Sequence, residues 1–408
     1  MKLRYISLFS GIEACTVAWE VLGWEPAAFA QYEPGDRIQF SACLLKHRYP
    51  DVPNLGDVTQ ITEEQIAALG HVDLLVGGSP CQDLSLAGHR AGLRREDGSV
   101  TRSGLFDYQL QIFEWARRRC GCRWLLWENV IGALSSGKEV KGADFAYILG
   151  SMVQRDVPVP PGGWCSSGIV TADDWSRVAE WRVLDSQFFR ESPQRRRTFV
   201  LCDSGPWWSR PPVLLEAGDG GRDAQAGGGK GKASSGPVQE GACQDVRDFE
   251  LKAEPCKDTD DSRFFLYENH PQDSRVNIIR DDISPTLTCQ FSELPLVRET
   301  VDGEEVLRYL TPEECERLDG FPTGYTDIPV DCSERRKKEL RYIALGNSMA
   351  VPVMRWIGMR IEHALSHPIL EDTSVGPAWQ PDLFDEEETR DECRIKGYGP
   401  CAAQGQDD

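Results

Sequence analysis

A chain of 408 residues, 40% of them hydrophobic, is long enough for two domains and a sizeable core. It contains no run of eighteen apolar residues, which excludes a membrane-spanning helix of ordinary length. A formal net charge of −20 excludes a general polyanion binder, because such proteins carry a basic excess.

The opening MKLRYISLFSG has too few apolar positions for a secretion signal and reads as a first strand. Further strands are predicted at 27–32, 72–77, 123–127, 181–189 and 197–202, after the first at 5–9. A helix spans Ile12 to Leu22 and is closed by Gly23. Another spans Leu105 to Arg119, with Leu105, Phe106, Gln109, Ile112, Phe113 and Ala116 inward and Gly121 beyond its end. Strands alternating with helices imply an α/β fold with a mostly parallel sheet. After about residue 204 the pattern is lost. The stretch EAGDGGRDAQAGGGKGKASSG is glycine-rich and reads as a flexible loop or linker. Order returns near RFFLYEN and SPTLTCQ. RYIALGNSMAVP reads as a strand, a tight turn at Gly346-Asn347 and a helix. From Glu371 to Asp408 there are eleven acids and three basic residues, a mobile acidic tail. The predicted organisation is 1–203, 204–305 with a glycine-rich insertion at 216–242, 306–365, and the tail 366–408.

The fourteen cysteines are scattered, with only Cys120 and Cys122 close together, so they read as reduced thiols of a cytosolic protein. Cys43 and His47 have helical metal-ligand spacing, but no four-ligand set accompanies them and no metal is expected. Basic residues cluster only locally, at Arg94-Arg95, Arg117 to Arg119, Arg195 to Arg197 and Arg335 to Lys338. A nucleic-acid surface, if present, must be a cleft.

In open α/β sheets ligands bind beyond the carboxyl ends of the strands. Four features fall there. FSGIE, with Gly11, follows the first strand and lets backbone approach a ligand. Glu33 follows the second, where an acid commonly receives ribose hydroxyls. GGSPCQ follows the third, and Glu128 ends the fourth. The glycine turn is not GxGxxG, which disfavours a dinucleotide dehydrogenase. A thiol with a pKa of roughly 8.5 is mostly protonated at neutral pH, and nearby arginines increase its thiolate fraction. Cys81 facing Glu128 suits attack on an electron-poor ring whose nitrogen is protonated or hydrogen-bonded at the same moment.

GGSPCQDLSLAGHRAG, WENV, PQRRRTF, RYLTPEECERLDGFP and ALGNSMAVP, in that order, closely resemble the blocks of the DNA cytosine-5 methyltransferases. LFSGIEACTVAWEVLGWEPAAFAQYEP resembles the family's first two blocks in their phage and prophage variety. The resemblance covers roughly 1–203 and 280–365. It implies a Rossmann-like S-adenosylmethionine-dependent methyltransferase fold with a small second target-recognition domain. It further implies that carbon 5 of cytosine in duplex DNA is methylated at a specific short sequence.

Residue by residue, Phe9, Gly11, Ile12, Glu33, Asp57, Val58, Pro80, Leu105, Asn347 and Ser348 would line the S-adenosylmethionine pocket, Glu33 on the ribose and Asp57 on the adenine amino group. Cys81 would add to C6 of an extruded cytosine, and Glu128 would bond ring N3 and the amino group. Arg195 and Arg197 would hold the base, Glu128 and nearby phosphate, with Arg196 as the alternative for one role. Asn129 would brace the glutamate loop. Gln82, Ser85, Arg90 and Arg95 would meet DNA, in a loop over 82–103 that closes on the site. The resemblance implies a monomer in a bacterial or phage-infected cytoplasm, with a restriction endonuclease as a functional counterpart at most and no membrane.

This chain departs from the family pattern in three places. Glu13-Ala14 stand where a second glycine pair is common, DLS follows Cys81-Gln82, and the arginine block is one residue shorter. Trp207, Trp208 and Arg210 are either DNA-facing or core, and Pro312, Leu318 and Phe321 are structural. A cytosine methyltransferase acting on RNA, and a catalytically idle DNA-binding relative, are the alternatives to the main reading.

Overall fold

The computed structural model describes residues 2–79, 104–137, 140–189, 193–215, 265–270, 275–279, 287, 295–301 and 304–369. Seven strands form one sheet: β1 (Arg4–Leu8), β2 (Glu25–Ala30), β3 (Leu74–Gly77), β4 (Trp124–Val130), β5 (Ser167–Thr171), β6 (Val178–Asp185) and β7 (Arg196–Asp203). Their order is β2-β1-β3-β4-β7-β6-β5. β2, β1, β3 and β4 pair in parallel. The segments joining them contain α1 (Ala14–Trp19), α2 (Phe40–Arg48), α3 (Glu63–Ala67) and α4 (Gly104–Cys120), the long crossovers that parallel pairing requires. β5, β6 and β7 follow one another without an intervening α-helix and pair antiparallel, as β7 does with β4. The sheet is therefore mixed, with β5 and β7 opposing the other five strands.

Alternation along each strand divides the core into two layers. Tyr5, Leu74, Val76, Trp124, Leu126 and Leu201 face one side. Ile6, Leu8, Leu75, Leu125, Trp127 and Val200 face the other. Both faces are covered, so the strands read as continuous apolar runs and not as alternating ones. Phe106, Ile112, Phe113 and Ala116 of α4 cover the second face, together with Phe145, Ile148, Leu149 and Met152 of α5 (Ala143–Val153). The sequence prediction included neither α5 nor the edge strand β5. The α5 segment is buried at eight of its eleven positions, which blurs the one-sided periodicity that marks a surface helix.

The first face is covered by α1 and by the end of the described chain. α6 (Pro312–Leu318) starts with a reciprocal Thr311–Glu314 capping box and a proline in its first turn, as helix starts favour. α7 (Glu334–Asn347) is capped by Ser333. The strand expected within RYIALGN is instead the last part of α7. Once Ser333 and the charged first turns nucleate the helix, each added residue gains a backbone hydrogen bond. No glycine or proline intervenes before Gly346. α8 (Val351–Ser366) crosses α1, where Trp19 Nε1 donates to the Met354 carbonyl at 2.7 Å. A Cβ on Gly358 would lie 2.7 Å from the Trp19 ring, so only glycine lets these helices approach so closely.

A second, antiparallel sheet contains β8 (Phe265–His270), β9 (Arg275–Ile279), β10 (Leu296–Val301) and β11 (Glu304–Tyr309), in the order β11-β10-β8-β9. β11 runs past the boundary expected at residue 305. Leu287, Val297 and Leu310 join the core beside Phe321, Tyr325 and Tyr342. The Tyr342 hydroxyl donates to the Leu310 carbonyl at 2.6 Å. No described helix is long and apolar enough to cross a membrane.

Candidate active site

Parallel registry brings several strand ends to one edge. Leu8 lies opposite Gly77, Gly77 opposite Trp127, and Val130 opposite Arg197. The residues after Leu8, Ala30 and Gly77, and Glu128 itself, therefore share the carboxyl edge of the sheet. β7 is antiparallel to β4, so it begins where β4 ends and delivers Arg195 and Arg197 to the same edge.

Glu128 sits at the centre of this edge, its side chain 13% exposed. Burial pushes its carboxyl above the usual range, while Arg197 and Arg195 oppose the rise. Arg197 Nε approaches Glu128 Oε1 at 3.2 Å. Burial, and repulsion from Arg195, bring the Arg197 guanidinium down to about 10, while Glu128 and Asp319 pull it back up. Arg195 is buried, donating to the carbonyls of Gly346 at 3.1 Å and Ser348 at 2.6 Å. Arg196 is exposed and takes neither position.

The approach to Cys81 is tied to both neighbours of Glu128. Trp127 Nε1 donates to Ser79 Oγ at 3.0 Å, and Asn129 Nδ2 donates to the Ser79 carbonyl at 3.0 Å. Asn129 Oδ1 accepts from the Val130 amide, which fixes the orientation of its carboxamide. Asn129 thus ties Ser79 to the end of β4. A Cβ on Gly78 would stand 3.0 Å from Glu128 Oε2 and 3.2 Å from the Glu128 carbonyl oxygen, so glycine keeps this space open. Pro80, Cys81, Gln82, Ser85, Arg90 and Arg95 lie outside the described residues, as do the glycine-rich insertion and the acidic tail.

At the neighbouring strand ends, Phe9 and Gly11 both adopt left-handed backbone, at φ 53° and 55°. The Gly11 amide donates to Gln31 Oε1 at 2.8 Å. The Ile12 side chain is fully buried in the core, leaving only its backbone to face a ligand, and its carbonyl already accepts from Tyr325. Glu33 Oε1 accepts from the Ser41 hydroxyl at 2.6 Å. Glu33 Oε2 is buried without a partner, and burial raises the carboxyl. A buried acceptor with no donor fits a ligand that brings hydroxyl groups, as a ribose does. Asp57 Oδ1 caps a short turn through the Thr59 amide. Val58 is buried beside it, and Leu105 is half-buried at the start of α4. Asn347 is exposed at the end of α7, and Ser348 is buried in the turn that grips Arg195.

Other predicted positions are structural. Arg210 is buried, pairing with Asp203 at 2.7 Å and Glu180 at 3.1 Å, so it faces the core and not DNA. Trp207 is buried and stacks on Trp175, while Trp208 is half-exposed. Pro312 opens α6 and Phe321 stacks on Tyr325. Cys120 and Cys122 donate to the carbonyls of Ile66 and Trp124. Sequence inspection missed Trp127 and Ser79 as a pair, and Asp319 inside the quoted LDGFP block. Only the tertiary pairing singles them out.

Fold and site together define an α/β protein with a candidate site at the carboxyl edge of a mixed sheet. Residues 3–155 match the model of the C-5 cytosine-specific DNA methylases. A DNA N-6-adenine-methyltransferase of Escherichia phage P1 is 30% identical over 480 residues, covering 89% of this chain and 62% of that protein. The chain therefore spans less than two thirds of that relative's length. The type II methyltransferase M.Sau3AI of Staphylococcus aureus is 24% identical, over 88% of this chain and 96% of its own. Among solved structures, the Entamoeba histolytica methyltransferase EhMeth aligns with a TM-score of 0.51 at 13% identity, over 90% of this chain and 99% of its own. A mutant DNMT2 of Spodoptera frugiperda aligns with a TM-score of 0.51 at 16% identity, over 89% of this chain and 100% of its own. Both are likenesses of fold alone. Residues 3–155 are thus similar to the C-5 cytosine-specific DNA methylases, and the fold is like that of those two solved structures.

Proposed function

We propose that this chain is a DNA (cytosine-5-)-methyltransferase, acting at a specific short sequence in duplex DNA with S-adenosylmethionine as methyl donor. The observation that carries the reading is the buried Glu128–Arg197 pair beside the Ser79 segment that leads into Cys81. C6 of a stacked cytosine cannot be attacked from above its plane, so the base must leave the helix. The Cys81 thiolate then forms a bond to C6, and the C5–C6 π electrons move onto C5 as Glu128 bonds N3 and the amino group. A carboxyl whose proton affinity is raised by burial is suited to hold a proton at N3. Arg197 keeps Glu128 oriented, and Asn129 keeps the Cys81 segment against it. S-adenosylmethionine, when bound, supplies an electrophilic methyl group. Glu33, with its unpartnered Oε2, would hold the ribose, and Asp57, Val58, Phe9, Gly11 and Leu105 would form the rest of that pocket. Loss of the C5 proton from the substituted ring restores the double bond and releases Cys81.

Target recognition is assigned to the second sheet and the 204–305 region around it. Phosphate contacts would come from the 82–103 loop, including Gln82, Ser85, Arg90 and Arg95.

The printed name of the phage P1 relative favours a second reading, methylation of adenine N6. Part of that relative lies outside the match, and an adenine amino group needs no thiol adding to its ring. Digestion of DNA from cells expressing the chain, followed by mass spectrometry of the nucleosides, separates the two. We expect 5-methylcytosine, absent with Cys81→Ala, and bisulfite sequencing then gives the site. N6-methyladenine alone overturns the reading, and so does 5-methylcytosine that persists in Cys81→Ala.

A further inference from the structure

The turn between β1 and α1 returns repeatedly to left-handed backbone. Phe9 and Gly11 adopt φ 53° and 55°, and Glu13 follows at 63°. Two of the four described non-glycine residues with positive φ thus lie within five positions of one another. A side chain in this conformation crowds its own backbone, which glycine does not. Strain of this kind persists only where the surroundings hold it. The mechanism above uses Phe9 and Gly11, and makes no use of Glu13.

What holds Glu13 is its own side chain. The residue is 1% exposed, and its carboxyl folds back to cap α1. Oε2 accepts from the Thr16 amide at 3.2 Å and from the Thr16 hydroxyl at 2.7 Å. Having given its proton to Glu13, the Thr16 hydroxyl accepts from the buried Tyr5 hydroxyl at 2.7 Å, which ties the cap to β1. The preceding residues are held from other elements. The Ser10 amide donates to the Ala30 carbonyl at 3.3 Å, and the Ala30 amide returns a bond to Ser10 Oγ at 3.2 Å. The Gly11 amide is on Gln31, and the Ile12 carbonyl accepts from Tyr325. Glu13 closes this series at the helix.

We propose that Glu13 is a positioning residue for the cofactor pocket: its carboxyl, folded onto Thr16, keeps the turn from Phe9 to Glu13 in its ligand-receiving shape before the ligand arrives. This rests on the reading of Phe9 and Gly11 as part of the S-adenosylmethionine pocket. A glycine at position 13 would enter the same conformation freely and leave it as freely. Ordering the turn would then be charged against binding. Glutamate is held in place by two bonds to Thr16, so the ordering is complete on folding. Burial raises the Glu13 carboxyl to about 7, with hydrogen bonds from Ser7 and Thr16 opposing the rise. A protonated carboxyl keeps an oxygen that can accept, so the cap persists in either state. It acts through shape and not through charge, and glutamine should replace it.

The test pairs calorimetry of S-adenosylmethionine binding with hydrogen exchange of the peptide covering the turn, both on the full chain. In the wild type the turn should be protected without ligand and gain little more at saturation. In Glu13→Gly it should exchange faster without ligand and regain protection when ligand binds. The dissociation constant of Glu13→Gly should rise about fivefold, the worth of one helix cap, while Glu13→Gln binds as the wild type does. A cap that served the fold alone would lower the unfolding midpoint of Glu13→Gly and leave the dissociation constant in place. An unchanged constant in folded Glu13→Gly therefore overturns the proposal, as does a loss in Glu13→Gln equal to that in Glu13→Gly. So does a large gain of protection when the wild type binds ligand, a measurement that depends on no variant folding. Failure of the wild type to bind S-adenosylmethionine would instead remove the pocket reading itself, and the proposal with it.

Discussion

Replacing Arg197 by methionine keeps most of its volume and removes the charge 3.2 Å from Glu128, whose side chain is 13% exposed. A carboxylate left without its partner there takes up a proton instead of remaining ionised. Neutralising a carboxyl of ordinary pKa near 4.3 costs about 3.7 kcal/mol at pH 7, at about 1.4 kcal/mol per pH unit, and about 1 kcal/mol at pH 5. These figures cap the loss from this source, and Arg195, which remains nearby, reduces it. The expected destabilisation is about 2–3 kcal/mol at pH 7 and below about 1 kcal/mol at pH 5. The sign follows from linkage. The folded pKa lies above the unfolded one, so the unfolded chain binds fewer protons and stability falls as pH rises above about 4.3. Burial already raises Glu128 in the wild type, and the variant extends the same trend to higher pH. Urea unfolding of both proteins at pH 5, 6, 7 and 8 measures the difference directly. A loss of equal size at pH 5 and pH 7 would refute the reasoning and mean that Arg197 acts through packing alone.

Glu33→Ala removes the unpartnered buried oxygen and should weaken S-adenosylmethionine binding by about tenfold or more, the value of one hydrogen bond to a charged group; an unchanged dissociation constant by calorimetry removes the ribose assignment. Asn129→Ala frees the Ser79 carbonyl and the Cys81 approach. It should lower kcat by about tenfold to a hundredfold, as loss of a supporting contact commonly does, while cofactor affinity is retained, and an unaltered kcat would show that the brace is dispensable. Arg210→Ala leaves Glu180 buried with only the Val213 and Leu214 amides, while Asp203 keeps Arg123, and should cost about 3–5 kcal/mol; a loss below about 1 kcal/mol in urea melts contradicts the structural role given to it. DNA affinity should fall steeply with added salt, since basic residues displace condensed counterions, and a flat salt dependence would argue against phosphate contacts.

The quoted blocks locate the proposed reacting groups because the proposed chemistry demands particular atoms: a thiol for C6, a carboxyl for N3, an acid for ribose hydroxyls. The alternating apolar runs of β1 through β4 made the parallel half of the sheet legible, since buried parallel strands read as continuous hydrophobic stretches. The antiparallel return of β7 between β4 and β6 was not legible, because strand order is set by which surfaces must be covered and not by any local pattern. That placement brings Arg195 and Arg197 to Glu128 from about seventy residues away. α7 illustrates the reverse difficulty. RYIAL has the composition of a short strand, yet a helix nucleated at Ser333 runs through it.

What the linear chain determined by itself was the proposed chemistry and the candidate residues for it, for these depend on side-chain identity at strand ends. The tertiary structure alone decided which arginine meets the glutamate, how Ser79 is tied to Trp127 and Asn129, and that Asp319 is buried without a hydrogen bond to its carboxyl. Proton affinities and orientations at the site depend on burial and on charges distant in sequence, and only folding brings those together.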